Sequence, residues 1–384
     1  MNKIDKIYQA ADDRKKFGFV EQYKKVRIGD LTKIRTGKLD ANAASDDGKY
    51  PFFTCSREPL KISSYTYDCE CVLVAGNGDL NVKYYQGKFD AYQRTYIIEE
   101  NGEGSLYVPY LYYFMERYIE ELRKQAIGGV IKYIKLENLT EALIPLPDIK
   151  IQKHIVFNLS KAKGLIDKRT EQIGELDTLI KARFVEMFGD PVENTLNWKK
   201  DRVESHIDLL LGYPFKSEEY VENGINICGG LIIMPQKIIW ENCVHWSTTE
   251  GYEDYLLNAD DIVMALDRPW ISEGFKIAQV DKEHLPALLI QRTARIRAID
   301  VNQTYLYWCF INGGFDKHSN VTGSLVPHIS AKDIKSFEIM LPPIELQNQF
   351  ADFVTQVDKL KVEVQKSLDE LQTLFNSLMQ QYFG

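Results

Sequence analysis

Residues 128–152 read Gly-Gly-Val-Ile-Lys-Tyr-Ile-Lys-Leu-Glu-Asn-Leu-Thr-Glu-Ala-Leu-Ile-Pro-Leu-Pro-Asp-Ile-Lys-Ile-Gln, and residues 323–347 read Gly-Ser-Leu-Val-Pro-His-Ile-Ser-Ala-Lys-Asp-Ile-Lys-Ser-Phe-Glu-Ile-Met-Leu-Pro-Pro-Ile-Glu-Leu-Gln. Gly128/Gly323, Ile134/Ile329, Ile144/Ile339, Leu146/Leu341, Pro147/Pro342, Ile149/Ile344 and Gln152/Gln347 are identical at a constant shift of 195. The shift continues through Glu175-Leu176 against Glu370-Leu371 and ends on Phe188-Gly189 against Phe383-Gly384. The chain is a tandem duplication.

Downstream of each proline the pattern is helical. Apolar or long residues fall at 155, 159, 162, 166, 169, 173, 176 and 180, then at Phe350, Val354, Val357, Lys361, Val364, Leu368, Leu371, Phe375 and Leu378. Alternating steps of four and three make a heptad seam, interrupted only by Arg169 and Lys361. Such a seam demands a partner helix, and some 35 residues at ~1.5 Å each span about 50 Å. Generic oligomerisation would also use such a seam. Two equal helices in one chain most economically pack on each other, and antiparallel packing would put two globules at opposite ends of a rod. Arg169 and Lys361 then read as register or snorkelling residues.

Upstream of each helix, short β-branched and aromatic runs alternate with Gly, Asn and Asp turns, with Tyr-rich helical segments at 110–125 and 304–312. The expected fold is α+β: two pseudo-repeated, mostly-β domains at 25–147 and 198–342, separated by two long antiparallel helices (a coiled-coil spacer) at 148–189 and 343–384. Residues 1–24 form an N-terminal extension with no counterpart. Landmarks recur: Val72-Leu73-Val74-Ala75 answers Ile262-Val263-Met264-Ala265, and Gln93-Arg94-Thr95 answers Gln291-Arg292-Thr293. The shift drifts from 190 to 198 between them, so a shared frame carries loops of different length and content.

Composition bounds the function. With 384 residues, 45% apolar, 12% aromatic and 27% charged, the chain fills real cores and is not disordered. No run approaches ~20 apolar residues, and the start Met1-Asn2-Lys3-Ile4-Asp5-Lys6 lacks a hydrophobic signal core, so a cytoplasmic location is expected. Six cysteines without a Cys-x-x-Cys pair read as free thiols, and six scattered histidines read as surface or loop polar groups without metal spacing. The net charge of −8 argues against indiscriminate coating of nucleic acid, though not against a local basic patch.

Usual catalysts are missing together. Gly76-Asn77-Gly78 follows a strand, as in a cofactor loop, yet 81–88 reads as strand and turn and the second copy has Leu266-Asp267-Arg268-Pro269, so a tight turn is favoured. No Asn/Asp-Pro-Pro-aromatic tetrad or phosphate loop is found, and downstream of Pro147-Asp148 none of Asp167, Glu171, Glu175 and Asp177 is followed by Lys two positions on. Two related globules at fixed separation suit a ligand with two sites at fixed separation, and duplex DNA is the obvious one. A scaffold that joins proteins without reading DNA shares the rod but not a reason for divergent polar loops. A methyltransferase or nuclease acting in its own right is the further alternative.

The order of a variable globule, then Ile144-Pro145-Leu146-Pro147-Asp148-Ile149-Lys150-Ile151-Gln152 leading into a long helix, then both again with Ile339 to Gln347, resembles the specificity subunit of type I restriction-modification enzymes. The segment Val72 to Asp79 with Gly87-Lys88-Phe89-Asp90-Ala91 is similar to that family's target recognition domains. The resemblance spans almost the whole chain. It implies two target recognition domains, each reading half of a bipartite, asymmetric double-stranded DNA target in the major groove. It further implies helices that dock modification (methyltransferase) subunits, two of them, with restriction subunits (ATP-dependent translocase and nuclease) completing the complex. No cofactor belongs to this chain; AdoMet, ATP and Mg would sit on those partners.

Base and phosphate contacts favour Arg, Lys, Gln, Asn, Ser/Thr and Tyr on loops. The candidates are Arg35, Thr36, Lys38, Lys49, Arg57, Lys83, Lys88, Tyr92, Gln93 and Arg94 in the first globule. In the second they are Tyr213, Lys216, Gln236, Lys237, Arg268, Trp270, Lys276, Gln291, Arg292, Lys317, His318 and Ser319. For any one of them a solvated surface role is the competing reading. The recurring Gln-Arg-Thr stands out, although a structural turn would recur equally.

Overall fold

The structure is a computed structural model that describes residues 23–319 and 327–384. All but the last two residues of the 1–24 extension, and the repeat residues Gly323 to Val326, lie outside the described residues. The chain divides into two compact units, residues 1–171 with 365–384 and residues 172–364, so each unit holds one α+β globule and half of each long helix.

In the first unit six strands order as 32–36, 95–100, 67–75, 82–91, 50–53 and 60–62. Neighbours are antiparallel except 50–53 with 82–91. The central strand Tyr67–Ala75 is buried throughout its last five residues because both sheet faces are covered. The period of two divides them: Val72 and Val74 face the helix Val108–Gln125 with Tyr110 and Leu111, while Cys71 and Leu73 pack with Phe53, Phe89 and Ile97. That helix begins with Pro109 in its first turn and ends with Arg123 and Lys124, charges suited to its C-terminus.

The second unit repeats the plan in smaller pieces. A four-stranded antiparallel sheet orders as 207–211, 293–298, 262–265 and 277–279, and a three-stranded sheet as 244–246, 225–228 and 287–289. Strand 225–228 runs parallel to 287–289, the counterpart of the parallel pair in the first unit. Asn302 caps the helix Gln303–Asn312 by accepting from the Thr304 and Tyr305 amides.

The long helices run Ile149–Phe188 and Ile344–Phe383. In the second unit Phe184 meets Phe350 and Asp177 pairs with Lys361 at 2.5 Å, so one helix advances as the other retreats: they are antiparallel. In the first unit Asn158 bonds the Tyr382 hydroxyl and Leu159 shares a core with Leu378. Seam residues are buried near the helix ends, at Ile155, Leu159, Ala162, Ile180, Phe350, Val354, Val357, Leu371 and Leu378. The middle positions Ile166, Arg169, Ile173, Leu176, Lys361, Val364 and Leu368 are only half-buried, because two helices alone cover one side of the seam.

The repeated glutamine gains a physical reason. Gln152 and Gln347 are buried to 0% and 3% exposure. Gln152 Nε2 donates to the carbonyls of Ser105 and Pro147 while its Oε1 accepts from Tyr107 N. Gln347 Nε2 donates to Pro342 O and its Oε1 accepts from Asn302 N. Each glutamine clips the start of a long helix onto its own globule by satisfying buried backbone groups. Tyr110 to Pro145 O and Tyr305 to Met340 O are a second matched pair.

Two expectations about histidine need correction. His206 is 8% exposed, bonded to Asp300 at 2.7 Å beside Asp201, and His318 bonds Ser336 and packs on Phe337. His206 is an interior polar group and His318 a half-buried one, because partners distant in sequence converge on them.

Candidate nucleic-acid interface

The Gln-Arg-Thr landmarks form the same turn in both units, held by matched backbone hydrogen bonds. Gly37 N donates to Thr95 O at 3.0 Å as Gly212 N does to Thr293 O at 3.1 Å. Gly76 N donates to Arg94 O and Leu266 N to Arg292 O, at 2.8 and 2.9 Å. The next segment repeats too: Gly78 N to Lys132 O matches Arg268 N to Pro327 O, and Ile134 N to Gly76 O matches Ile329 N to Leu266 O. Close approach explains the paired glycines. A Cβ on Gly37 would lie 2.1 Å from Ala91 O, and one on Gly212 1.9 Å from Ile290 O. Thr95 and Thr293 are buried and donate to Phe53 O and Ile290 O, whereas Gln93, Arg94, Gln291 and Arg292 project into solvent. The threonine holds the turn and leaves glutamine and arginine on offer, both donor-rich side chains suited to base edges.

The side chains around the turns differ. No hydrogen bond or ion pair of the Arg94 guanidinium is found among the described residues. Arg292, at a positive φ of 66°, pairs with Asp267 at 2.6 Å, and Asp267 also accepts from His328 Nδ1 at 2.7 Å. Burial disfavours the charged form of Asp267, but the bonds from His328 and Arg292 outweigh it and hold the carboxyl below its ordinary range. Asp267 and His328 are the counterparts of Asn77 and Tyr133, which form the matching bridge in the first unit.

The remaining first-unit candidates fall into four groups. Arg57 pairs with Asp79 at 3.0 Å, and Lys83 bonds Asn81. Both line a cleft of about 770 Å³ together with Arg117 and Arg123, and burial lowers the Lys83 pKa. Tyr92 forms a bridge with Leu39, next to Lys38, and the Gln93 amide donates to the Leu39 carbonyl. Lys88 lies 4.8 Å over the Tyr65 ring, which packs on Tyr50, next to exposed Lys49, at another edge of the sheet. Arg35 stacks over Tyr67 and pairs with Glu99, and the Thr36 carbonyl accepts from Tyr67, so these two serve the sheet surface.

In the second unit a cavity of about 550 Å³ brings together Arg268, Lys276, Gln291 and Arg292. Arg268 is exposed with φ 46°. Gln236 and Lys237 are exposed at a hairpin turn, Gln236 with φ 60°. Tyr213 joins an aromatic cluster with Phe215, Tyr252 and Tyr255, and Trp270 stacks on Phe275, which commits both rings to packing. Lys216 is exposed beside Glu219, and Lys317 is exposed. Three candidates are engaged in internal hydrogen bonds. Lys276 is 7% exposed, donates to the Gly230 carbonyl and has its pKa lowered by desolvation. Ser319 is 3% exposed and donates to Phe315 O, and His318 is held as described above.

The Gly76–Gly78 turn does not fit a cofactor. Its two glycine amides are bonded to Arg94 O and Lys132 O, and the chain continues into the strand Val82–Ala91 rather than a helix. Among the described residues no group of three His, Cys, Asp or Glu is arranged to hold a metal, and no helix is long and apolar enough to cross a membrane. Burial raises the pKa of Cys69 to about 11 and of Cys309 to about 12.

One backbone frame, used twice and dressed with different polar side chains, defines a recognition protein with two divergent faces. The model of the type I restriction modification DNA specificity domain matches residues 20–176 and again 212–372. The chain belongs to this family. It is 25% identical to the type I restriction enzyme EcoDI specificity subunit of Escherichia coli, over 94% of this chain and 88% of that one. It is 24% identical to the MjaVIII specificity subunit of Methanocaldococcus jannaschii, over 91% and 89%. The crystal structure of a type I restriction-modification S subunit from M. genitalium superposes with a TM-score of 0.61, covering 94% of this chain and 96% of that one at 16% identity, which marks a shared fold.

Proposed function

We propose that each unit reads one half of a split DNA sequence, with the exposed Gln-Arg turn at the centre of each reading face. The family gives sequence-specific DNA recognition and membership of a restriction-modification complex. The matched turns carry the finer assignment: the same backbone positions Gln93-Arg94 and Gln291-Arg292, while the residues beside them differ, as two different half-sites require. The domains 25–147 and 198–342 are the readers, and the segments 148–189 and 343–384 set the distance between half-sites.

The long helices dock modification subunits, two per chain by the symmetry of the repeat. Their half-covered middle supports this, since Leu179, Leu360 and Val362 are 47%, 51% and 69% exposed. The chain itself supplies no catalytic group; AdoMet, ATP and Mg belong to the modification and restriction partners, in the cytoplasm. Introducing charge at the exposed apolar positions, by Leu360→Glu with Val362→Glu, is expected to abolish co-purification of the modification subunit with the fold intact by circular dichroism. Unchanged co-purification contradicts that docking face. A genome-wide map of methylated adenines after co-expression with the modification subunit is expected to return a split motif.

A further inference from the structure

The turn following strand Ile225–Cys228 carries a residue for which the fold has no use. Leu231 is 90% exposed, yet its turn is firmly built. The Gly229 carbonyl accepts from the Ile232 and Ile233 amides, and the buried Lys276 ammonium grips the Gly230 carbonyl. Leu231 also lines the cavity shared with Gln291 and Arg292.

The first unit has a loop in the same place, bent by a bond from Ser56 N to Thr54 Oγ1 rather than closed by a backbone turn. Phe53 pairs with Ala91 as Cys228 pairs with Leu289, so Leu231 occupies the position of Ser56. In the first unit Cys55 Sγ lies 3.6 Å from Arg94 O, and a Cβ on Gly230 would lie 3.9 Å from Arg292 O. Both segments thus abut the Gln-Arg turn, one offering a small hydroxyl and the other a branched apolar side chain. An exposed apolar group carried on a firmly built turn beside donor-rich Gln and Arg matches the pattern of a base pair that presents a methyl group in the major groove, which thymine alone does.

We infer that Leu231 is a specificity-determining residue that packs against the C5-methyl of a thymine in the half-site read by the second unit. The inference rests on the proposed two-reader function. Lys276 is its positioning residue, acting through the Gly230 carbonyl.

The test uses the full chain in complex with its modification subunit, on duplexes carrying the mapped target. Each thymine of the second unit's half is replaced singly by deoxyuridine, which removes only the methyl. One position is expected to lose about fourfold in affinity, the size of one buried methyl group. Leu231→Ala is expected to lose a similar factor on the thymine duplex and to become insensitive to deoxyuridine there. Leu231 is exposed, so this truncation spares the core. Substitution at Ser56 is expected to leave that sensitivity unchanged. A second half without thymine, equal affinity for every deoxyuridine duplex, or a Leu231→Ala complex that still senses the missing methyl overturns the inference while two-half recognition stands. A complex with no sequence preference overturns both.

Discussion

Arg94 and Arg292 stand on the same turn, held by the same backbone bonds, yet only Arg292 is clamped by an acid, and that acid is shared with His328. Beside them, Ser56 in one unit is replaced by Leu231 in the other. The difference teaches how a duplicated reader diverges. Backbone bonds, a buried threonine and a glycine pressed against a carbonyl preserve the frame, so side chains change without disturbing it. What each half recognises is carried by groups that contribute little to stability.

The largest effects should come from breaking the frame. Gln152→Ala strands three backbone partners and Gln347→Ala two, each worth ~1–3 kcal/mol when fully buried and less where, as for Ser105, Tyr107 and Asn302, the site is part-buried. We expect Gln152→Ala to cost about 2–4 kcal/mol of stability and Gln347→Ala less, read by urea denaturation; equal small losses contradict the clip. Next, Arg94→Ala should weaken DNA binding by roughly 1–3 kcal/mol and relax one half of the target only, measured by competition with half-site variants.

Asp267→Asn should have a smaller effect, under about 1 kcal/mol on binding, because the Arg292 end of the pair is largely exposed and screened. It also sharpens the comparison by acid titration. A carboxyl held below its ordinary range stabilises the fold fully above its unfolded pKa of ~3.9, and that stability is lost as the pH falls through the lower folded value. The native chain should show this loss, and Asp267→Asn should lack that component. Smallest of all, Lys361→Met, in the seam of the long helices, should change stability by less than about 1 kcal/mol and leave both half-sites unaltered in methylation assays.

Much of this was legible without coordinates. The shift of 195 and the heptads announced two globules and two helices, because periodicity survives when identities do not. The recurring Gln-Arg-Thr marked the turns, since a buried threonine and exposed neighbours are demanded locally. Other features depend on residues far apart in sequence meeting in space. Nothing near Lys276 announces that its ammonium ends on the Gly230 carbonyl, or that Asp267, Arg292 and His328 converge. Ser319 looked like a loop donor, but its hydroxyl turns inward onto Phe315 O. Gln152 and Gln347 were visible as a repeated motif, while their work as helix clips required the carbonyls they reach.

The most direct test is to map methylated adenines for the native chain, Arg94→Ala and Arg292→Ala, each co-expressed with the modification subunit. The account predicts a motif in two parts separated by unspecified bases, with one part blurred by Arg94→Ala and the other by Arg292→Ala. An undivided motif, or the same part blurred by both substitutions, would contradict it.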